Sequence, residues 1–290
     1  MHPLTHFSLI RITGADARTF LQGQLSNDLM TLTPSQSLLA SCNSAQGRVQ
    51  AILHLVEANG DILALLPKSM LSFVIPRLQK YILRAKARIE DIGESMRVEW
   101  GTANELISQG IPTPQRLGEC LQQDERTVIR WPDRHNERYL VIESGAPRSA
   151  EEPTEVRWTL ADIQAGLPQV LPDTHEEFVA QMLNLDALGA ISFNKGCYTG
   201  QEIIARAHFR GTVKRRMFRF TAPCQAPTPG TKIMANGEIA GEVVMAAQDG
   251  EECELLAVIS LAFSEAVLSL ATTGSILKAV PLPYTVPTQS

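Results

Sequence analysis

Apolar and polar positions alternate along the first hundred residues in a way that predicts antiparallel strands joined by short helices. Phe7 to Thr13 alternates as a half-buried strand does, and the turn Gly14-Ala15-Asp16 then supplies an Asp N-cap for a helix through about Gln24. Leu38 to Cys42 and Val49 to Glu57 have the composition of two paired strands. The chain therefore opens as strand, turn and helix, followed by a strand pair.

Asn59-Gly60 has the composition of a two-residue hairpin turn, in which both positions need a positive φ. It is predicted to join the preceding strand to a strand over Asp61 to Leu66. Further on, Ser69 is placed to cap a helix that runs to Ile82. Two more strands are predicted, over Ala87 to Ile92 and Met96 to Gly101. Helices that alternate with antiparallel strands indicate an α+β fold.

A polar stretch from Gly145 to Glu155 interrupts this pattern. Pro, Ser and Glu dominate it, and it lacks apolar periodicity. It is either an exposed loop inside a domain or a linker between domains, and we favour the loop.

The chain changes character after Arg216, where short apolar runs are separated by turn sequences. These turns are Pro227-Thr228-Pro229-Gly230, Asn236-Gly237, Asp249-Gly250 and Thr273-Gly274. Short strands at such a spacing predict a small β-barrel at the C-terminus.

The composition is that of a folded protein without a membrane segment. The 290 residues are 44% hydrophobic and 20% charged, enough for a sizeable core in two or three domains. No apolar run approaches the roughly 20 residues that span a bilayer, and no secretory signal pattern is visible, so we expect a cytoplasmic protein.

Five scattered cysteines without a Cys-x-x-Cys pair predict free thiols. The net charge of −5 limits any RNA contact to a local surface.

The most informative run is the tight loop Lys195-Gly196-Cys197-Tyr198-Thr199-Gly200-Gln201-Glu202, which leads into a helix. Thr199 and Glu202 have the spacing of a capping box, so the helix is predicted to begin near Gly200. Cys197 then lies near the positive end of the helix dipole and two residues from the Lys195 ammonium, and both features favour a reactive thiolate. The two glycines, Gly196 and Gly200, are expected where the backbone turns sharply.

The sequence leaves a structural interpretation open for several of these residues. Cys197 can be a small buried residue, as most free cysteines are. Lys195 can be a surface charge, and Glu202 is more easily explained as a cap than as an acid or base. Tyr198 can simply pack against the C-terminal barrel.

Other site classes lack their sequence patterns. The Gly-x-x-x-Gly of the loop is not followed by Lys-Ser/Thr, so it is not a phosphate-binding P-loop. The chain has no His-Glu-x-x-His or paired-cysteine pattern, so we expect no metal site. It also has no Gly-x-Ser-x-Gly elbow that would support a serine hydrolase.

A basic segment interleaved with aromatic residues follows the loop. It can neutralise the phosphates of an RNA or the polyglutamate tail of a folate, or it can be a solvated edge at a domain junction. The alternating Phe218 and Phe220 fit a barrel core better than a base-stacking platform. The segment comprises Arg206, His208, Phe209, Arg210, Lys214, Arg215, Arg216, Phe218, Arg219 and Phe220.

Several sequence blocks together resemble the signature of the YgfZ family. The main blocks are Met182-Leu183-Asn184-Leu185-Asp186, the loop from Lys195 to Glu202, Phe209-Arg210-Gly211 and Lys214-Arg215. Shorter matches extend the resemblance over nearly the whole chain. They are Phe20-Leu21-Gln22-Gly23-Gln24, Asn27-Asp28-Leu29, Gln46-Gly47-Arg48, Ala165-Gly166-Leu167-Pro168 and Pro281-Leu282-Pro283-Tyr284.

The resemblance implies a three-domain ring around a central channel that binds tetrahydrofolate or another folate derivative, with the β-barrel as the last domain. We therefore expect a folate-binding region of two interleaved α+β subdomains in residues 1–210 and the barrel in residues 211–290. The resemblance also implies a role in iron–sulfur cluster assembly or repair and in tRNA modification, with a function that depends on Cys197.

The family is related to the glycine cleavage T-protein, an aminomethyltransferase that relies on an acidic residue after an Asn-x-x-Gly-Gly-like turn. The corresponding stretch here, Gly47 to His54, contains no Asp or Glu. The resemblance therefore argues against aminomethyl transfer by that mechanism. Asp28 is the nearest alternative carboxylate.

The same resemblance indicates folate-binding residues. Phe7 and Trp158 are expected to form the walls of a pterin slot, although Trp158 can also be an ordinary core residue. Gln164 stands where the T-protein has a pterin-binding Glu, and an amide presents one donor and one acceptor where a carboxylate accepts twice. Arg206 and Arg210 are expected to attract an anionic ligand tail.

These observations predict a folate-binding accessory factor in which Cys197 and Lys195 carry any chemistry. That chemistry is thiol redox, one-carbon transfer or the handling of a cluster intermediate. Two alternatives stay open: a folate-dependent aminomethyltransferase or demethylase, and a non-catalytic module that binds RNA or a protein through Arg206 to Arg219. The expected partners are folate and iron–sulfur enzymes or assembly proteins, with direct tRNA contact left open. We expect a monomer.

Overall fold

The computed structural model describes residues 1–134, 138–149, 152–211 and 213–287 of the chain. In these residues the chain has an α+β fold built on three antiparallel sheets. The helices are α1 (Ala17–Gln22), α2 (Leu71–Gln79), α3 (Ala103–Ser108), α4 (Glu152–Gln164) and α5 (Gln201–Phe209). The strands are β1 (His2–Pro3), β2 (Phe7–Thr13), β3 (Leu38–Asn43), β4 (Val49–Ala58), β5 (Asp61–Pro67), β6 (Arg88–Asp91), β7 (Met96–Thr102), β8 (Cys120–Gln123), β9 (Arg126–Arg130), β10 (Arg138–Ser144), β11 (Arg215–Ala222), β12 (Lys232–Ala235), β13 (Glu238–Asp249), β14 (Glu252–Ser260), β15 (Ser269–Leu270) and β16 (Lys278–Val280). Within the described ranges, no helix is both long and apolar enough to cross a membrane.

The first sheet has the strand order β3-β4-β5-β2-β6 and confirms the strands predicted for this region. The strand predicted over Phe7 to Thr13 has the same bounds as β2. The predicted hairpin between β4 and β5 is also confirmed, because Asn59 and Gly60 have φ angles of 54° and 83°.

The two faces of the first sheet contribute to two different cores, because successive strand residues point to opposite faces. Ile10 and Ile12 of β2 belong to a core cluster that also contains residues of α1 and α2. Leu9 of β2 and Leu65 of β5 belong to a second cluster with Trp100 of the second sheet. Both faces of the first sheet are therefore covered.

The second sheet has the order β1-β7-β10-β9-β8. Its strand β1 pairs with β7, so the chain begins in the second sheet and then crosses into the first through β2. The strand predicted over Met96 to Gly101 is confirmed as β7, which continues to Thr102. The division of the chain after residue 210 stays a prediction, and residues 212 and 288–290 lie outside the described residues.

The third sheet, with the order β15-β12-β13-β14-β11-β16, curls into a half-barrel where the turn spacing predicts a small barrel. Asn236 and Gly237, with φ angles of 52° and 81°, turn β12 into β13. A bridge between Ser269 and Ile276 connects β15 to the segment that leads into β16.

Two predicted helix caps are wrong. Asp16 stands at the N-cap position of α1, but its carboxylate accepts from the Lys86 backbone N at 2.7 Å and makes no cap bond. Ser69 does not cap α2, because a 3-10 turn precedes that helix. The helix also ends at Gln79, short of the predicted end at Ile82. Tertiary contacts thus override the local cap signals.

The polar stretch from Gly145 to Glu155 is only partly a loop. Its first residues have no regular structure, but α4 begins at Glu152. Ala150 and Glu151 lie outside the described residues. The loop prediction is therefore wrong for the last part of the stretch.

Buried tryptophans hold α4 against the second sheet. The Trp158 ring lies 6.0 Å from the ring of Trp100 and 5.2 Å from that of Trp131, measured between centroids. One turn further along α4, Asp162 accepts from Trp131 Nε1 at 3.0 Å and from Arg138 Nη2 at 2.7 Å. The Arg138 guanidinium also lies 4.2 Å from the centroid of the Trp158 ring. Because both ions are buried, loss of either partner would leave an uncompensated charge.

Two buried ion pairs fix the third sheet. Arg216 of β11 donates to both carboxylate oxygens of Asp186, at 2.7 and 2.9 Å. Arg219 donates to Glu254 at 2.8 Å, and the same carboxylate accepts from Gln164 Nε2, at the end of α4, at 2.9 Å. Arg216 and Arg219 are therefore part of the core and not part of an exposed basic surface.

We predict that His54 makes the fold less stable as the pH falls below about 6.5. Burial lowers the pKa of His54 to about 3, with Arg138 adding to the effect, and the centroid of its ring lies 4.0 Å from that of Trp131. Between these pH values the unfolded chain binds a proton that the folded chain does not. The free energy of unfolding should therefore decrease by at most about 1.4 kcal/mol per pH unit in that window.

Urea denaturation of the wild type and of His54→Gln over a pH series measures this slope. The slope should be shallower in the variant. Equal slopes in the two proteins would show that His54 does not titrate in this way.

Candidate functional site

A cavity of about 460 Å³ lies between the first sheet, α4 and β13 of the third sheet. Phe7 of β2 and Trp158 of α4 both line it, and their rings meet edge to face with centroids 6.3 Å apart. The structure thus brings together the two aromatic residues predicted to form a pterin slot. Other lining residues are Lys68, Asp162, Gln169, Leu171, Met245 and Ala246. We call this space the Phe7–Trp158 cavity.

Gln169 gives the cavity a polar group that the sequence analysis missed. Its side chain is 5% exposed, and neither Oε1 nor Nε2 has a hydrogen-bond partner among the described residues. A buried polar group without a partner costs about 1–3 kcal/mol, so native proteins rarely leave one unsatisfied. No sequence pattern marks Gln169; only its nearness to Ala165-Gly166-Leu167-Pro168 could have drawn attention to it.

Gln164 and Arg206, the other two predicted folate contacts, are not brought to this cavity. Gln164 follows Trp158 by six residues, which at about 100° per residue turns its side chain roughly 120° away around the helix. It contacts Glu254 instead. Arg206 lies on the exposed side of α5 and pairs with Glu202 at 2.9 Å. Neither residue lines this cavity, and their roles in folate binding stay predictions.

The predicted capping box before α5 is wrong, although the helix does begin near Gly200. The first helical residue is Gln201, and Gly200 occupies the N-cap position with a φ of 83°. The helix thus starts one residue later than a Thr199–Glu202 box would require. Gln201 Oε1 accepts from the Tyr198 backbone N at 3.3 Å, whereas Glu202 reaches Arg206.

The two glycines of the loop differ in what they require. Gly200 has a positive φ, and a Cβ there would lie 2.5 Å from the Ser44 carbonyl oxygen. Only glycine fits that position without strain. A Cβ on Gly196 would meet open space, and its φ is not in the left-handed region. A close approach and a positive φ, the features that require glycine, are thus found at Gly200 and not at Gly196.

Lys195 is buried, and its ammonium is held by backbone carbonyls. Its side chain is 9% exposed, and burial lowers the pKa of its ammonium to about 8. Each of the three ammonium protons can be directed at a backbone carbonyl, so none remains for the thiol. The acceptors are the carbonyl oxygens of Gln22 at 2.7 Å, Leu25 at 2.8 Å and Asn27 at 2.6 Å.

Cys197 lies at the surface, in contrast to the buried filler that most free cysteines are. It is not among the residues that line the Phe7–Trp158 cavity. Its neighbour Tyr198 is buried in the first core cluster, and the Lys195 Nζ lies 5.1 Å from the centroid of its ring. Burial raises the pKa of Tyr198 to about 12. Within the described part of the chain, no cluster of three or more His, Cys, Asp or Glu side chains could hold a metal ion.

A second and larger cavity, of about 660 Å³, lies beyond Trp131. His54 and Tyr284 line it together with Trp131, and His54 Nε2 has no partner among the described residues. None of the residues predicted to contact folate lines this larger cavity. We therefore treat the smaller Phe7–Trp158 cavity as the candidate ligand site.

We predict that Lys195→Met lowers the free energy of unfolding by about 2–5 kcal/mol, because three buried carbonyls lose their donor. Lys80→Met is the matched control, since Lys80 is exposed at the end of α2 and should change stability by no more than about 0.5 kcal/mol. Urea denaturation measures both. Equal stability of Lys195→Met and wild type would contradict the structural role of Lys195.

The comparisons with known proteins agree on the fold. No protein-family model matches the chain. The crystal structure of the glycine cleavage system aminomethyltransferase T from Bartonella henselae superposes with a TM-score of 0.76, over 99% of this chain and 86% of that one, at 15% identity. At that identity the match shows the α+β fold and nothing about activity.

Sequence relatives cover almost the full length. An uncharacterized protein of Haemophilus influenzae (strain Rd) is 32% identical over 98% of this chain and 97% of its own length. The tRNA-modifying protein YgfZ of Escherichia coli O6:K15:H31 is 29% identical over 97% of this chain and 92% of its own length. YgfZ of Escherichia coli strain SMS-3-5 matches equally well. With these relatives, the loop from Lys195 to Glu202 and the shared fold, the chain belongs to the YgfZ family.

Proposed function

We propose that this chain is a folate-binding accessory protein that supports tRNA modification and the iron–sulfur enzymes on which such modification depends. The observation that carries the folate assignment is the Phe7–Trp158 cavity with the unpaired amide of Gln169. The tRNA assignment is supported by the printed name of the Escherichia coli relatives. The iron–sulfur assignment rests on the resemblance of the Lys195-to-Glu202 loop.

The chemistry of the cavity suits a pterin ring. Such a ring is flat, with an aromatic face and an edge that carries both hydrogen-bond donors and acceptors. Phe7 and Trp158 supply aromatic surface, and the Gln169 amide supplies one donor side and one acceptor oxygen. A bound tetrahydrofolate would supply one-carbon units carried on its reduced ring.

The three-domain ring and the closed barrel belong to the same proposal. The cavity receives Phe7 from the first sheet, Trp158 from the helix beside the second sheet, and Met245 with Ala246 from the third. A site that draws residues from the first and third sheets and from the helix packed on the second is what a central channel would require. The bridge from Ser269 to Ile276 supports closure of the third sheet into a barrel.

Cys197 is proposed to act on a partner at the surface and not on the folate directly. It is exposed, and it does not line the Phe7–Trp158 cavity. The loop nevertheless has a fixed position, because Lys195 ties it to three carbonyls and Gly200 packs against Ser44. A thiol held in this way can be offered to a protein or cluster-bearing partner as a nucleophile or ligand.

An active aminomethyltransferase is the less favoured alternative, because its reaction needs an available carboxylate in the cavity. Asp28 caps a 3-10 turn and accepts from Gln22, so it is used elsewhere. Gln50 lies in the stretch from Gly47 to His54 that has no Asp or Glu, and its amide contacts Arg77 and Glu176. The carboxylate that does line the cavity, Asp162, is already bound by Arg138 and Trp131.

We predict micromolar binding of tetrahydrofolate in calorimetry, lost in Trp158→Ala and weakened roughly tenfold or more in Gln169→Leu. The second change removes an amide whose hydrogen bonds to a ligand contribute on the order of 1–3 kcal/mol. Cys197→Ala should bind as the wild type does, since Cys197 lies outside the cavity.

Gln79→Leu is the matched control for the amide change, because Gln79 is exposed at the end of α2. It should leave binding unchanged. Wild-type affinity in both Trp158→Ala and Gln169→Leu would move the folate site away from this cavity, and no binding to the wild type would remove the folate assignment.

A second candidate function, direct RNA contact, is favoured by the exposed face of α5. Phe193, just before the loop, stacks on His208 with ring centroids 3.7 Å apart, and Phe209 meets His208 edge to face at 4.7 Å. Phe209 is 66% exposed. Arg206 and Arg210 are exposed on the same helix end. This combination of side chains suits single-stranded nucleic acid. Aromatic rings can stack on its bases, and arginine side chains can neutralise its phosphates.

We predict that Arg206→Glu/Arg210→Glu weakens binding of total tRNA and lowers the slope of log affinity against log salt by roughly 2, one for each phosphate contact. Lys80→Glu/Arg84→Glu, with the same charge change on exposed residues elsewhere, is the control. Filter binding over a salt series measures the affinity and the salt slope of each double variant. If the two double variants bind alike, α5 does not contact tRNA.

A further inference from the structure

Two free cysteines of the third sheet lie close enough to react with each other. Cys224 follows the end of β11, and Cys253 lies on β14 opposite Ala222, the last residue of β11. The two sulfur atoms are 3.6 Å apart. None of the sequence motifs described above includes either residue.

The two thiols differ in access. Cys253 is fully buried, whereas Cys224 is partly exposed in the turn after β11. Burial, together with the neighbouring Cys224, raises the pKa of Cys253 to about 12, so it stays a thiol at neutral pH. A reagent from solution would therefore reach Cys224 first.

The geometry needs only a local change to form a bond. A disulfide joins its sulfur atoms at about 2.05 Å, so the gap must close by roughly 1.5 Å. Cys224 lies outside the regular strand, in a turn where its backbone N donates to the Ala222 carbonyl at 2.9 Å. The movement required is therefore a rotation of the Cys224 side chain or a shift of this turn toward Cys253.

We propose that Cys224 and Cys253 form a reversible dithiol–disulfide site, with Cys224 as the attacking residue and Cys253 as the resolving one. With glutathione disulfide as the oxidant, the Cys224 thiolate forms a mixed disulfide and releases one glutathione. Cys253 then loses its proton and attacks the Cys224 sulfur, and the second glutathione leaves. Two cysteine thiols lose two electrons and two protons, and glutathione disulfide gains them as two thiols.

The disulfide would lie next to a contact that joins two parts of the fold. Glu254, the residue after Cys253, accepts from Arg219 of β11 and from Gln164 at the end of α4. The bond would close the chain between residues 224 and 253 and restrict the unfolded state. Oxidation should therefore raise the melting temperature by a few degrees. This inference goes beyond the proposed function and does not depend on folate or tRNA.

The test is to treat the full chain with glutathione disulfide and map its peptides by mass spectrometry without reduction. The expected product is a linked peptide pair, Cys224 with Cys253, that has lost two hydrogen atoms and is restored by dithiothreitol. Cys253→Ser should instead accumulate a glutathione adduct on Cys224. Cys224→Ser should give neither the link nor an adduct at Cys253.

Cys197→Ser is the control for the exposed loop thiol, and it should leave the Cys224–Cys253 link and the rise in melting temperature intact. The proposal is overturned if Cys224 and Cys253 remain thiols while Cys197 is modified. It is equally overturned if Cys224 links only to another molecule of the chain.

Discussion

The buried ion pair between Arg138 and Asp162 sets the position of the candidate ligand cavity. It joins β10 of the second sheet to α4, and Asp162 also accepts from Trp131. Burial raises the pKa of Asp162, while the charge of Arg138 and the hydrogen bonds from Trp131 and Arg138 act in the opposite direction and favour the charged carboxylate. The same Arg138 guanidinium lies against Trp158, the aromatic wall of the cavity. Together with the packing of Trp158 and the hydrogen bond from Gln164 to Glu254, this ion pair fixes the placement of α4 and with it the shape of the cavity.

The third sheet contributes Met245 and Ala246 to the cavity. It also buries one part of the basic segment and leaves the other part exposed. Arg216 and Arg219 are buried in ion pairs with Asp186 and Glu254, where they attach the sheet to the rest of the fold. Arg206 and Arg210 remain exposed on α5. A run of cations that is continuous in sequence therefore has two physical roles. Only the exposed part is available to an anionic partner.

Short sequence patterns correctly predicted the strands and turns whose geometry depends on a few neighbouring residues. The alternation over Phe7 to Thr13 and the hairpin at Asn59-Gly60 are found as expected, because side-chain period and positive φ are properties of a few neighbouring residues. The partners of Lys195 could not be predicted, since they are carbonyls about 170 positions earlier in the chain. Gln169 was missed for the same reason: its significance is an unpaired amide, which only the packed structure reveals. Phe7 and Trp158 were found through the family resemblance.

We propose that the Phe7–Trp158 cavity, and not the larger cavity beyond Trp131, holds the folate. This proposal can be tested with a crystal structure of the chain bound to 5-formyltetrahydrofolate, a stable reduced folate. We expect density for the pterin ring against Trp158, with a ring nitrogen or oxygen within hydrogen-bond distance of the Gln169 amide. Density in the cavity lined by His54 and Tyr284, or an empty Phe7–Trp158 cavity at saturating ligand, would contradict it.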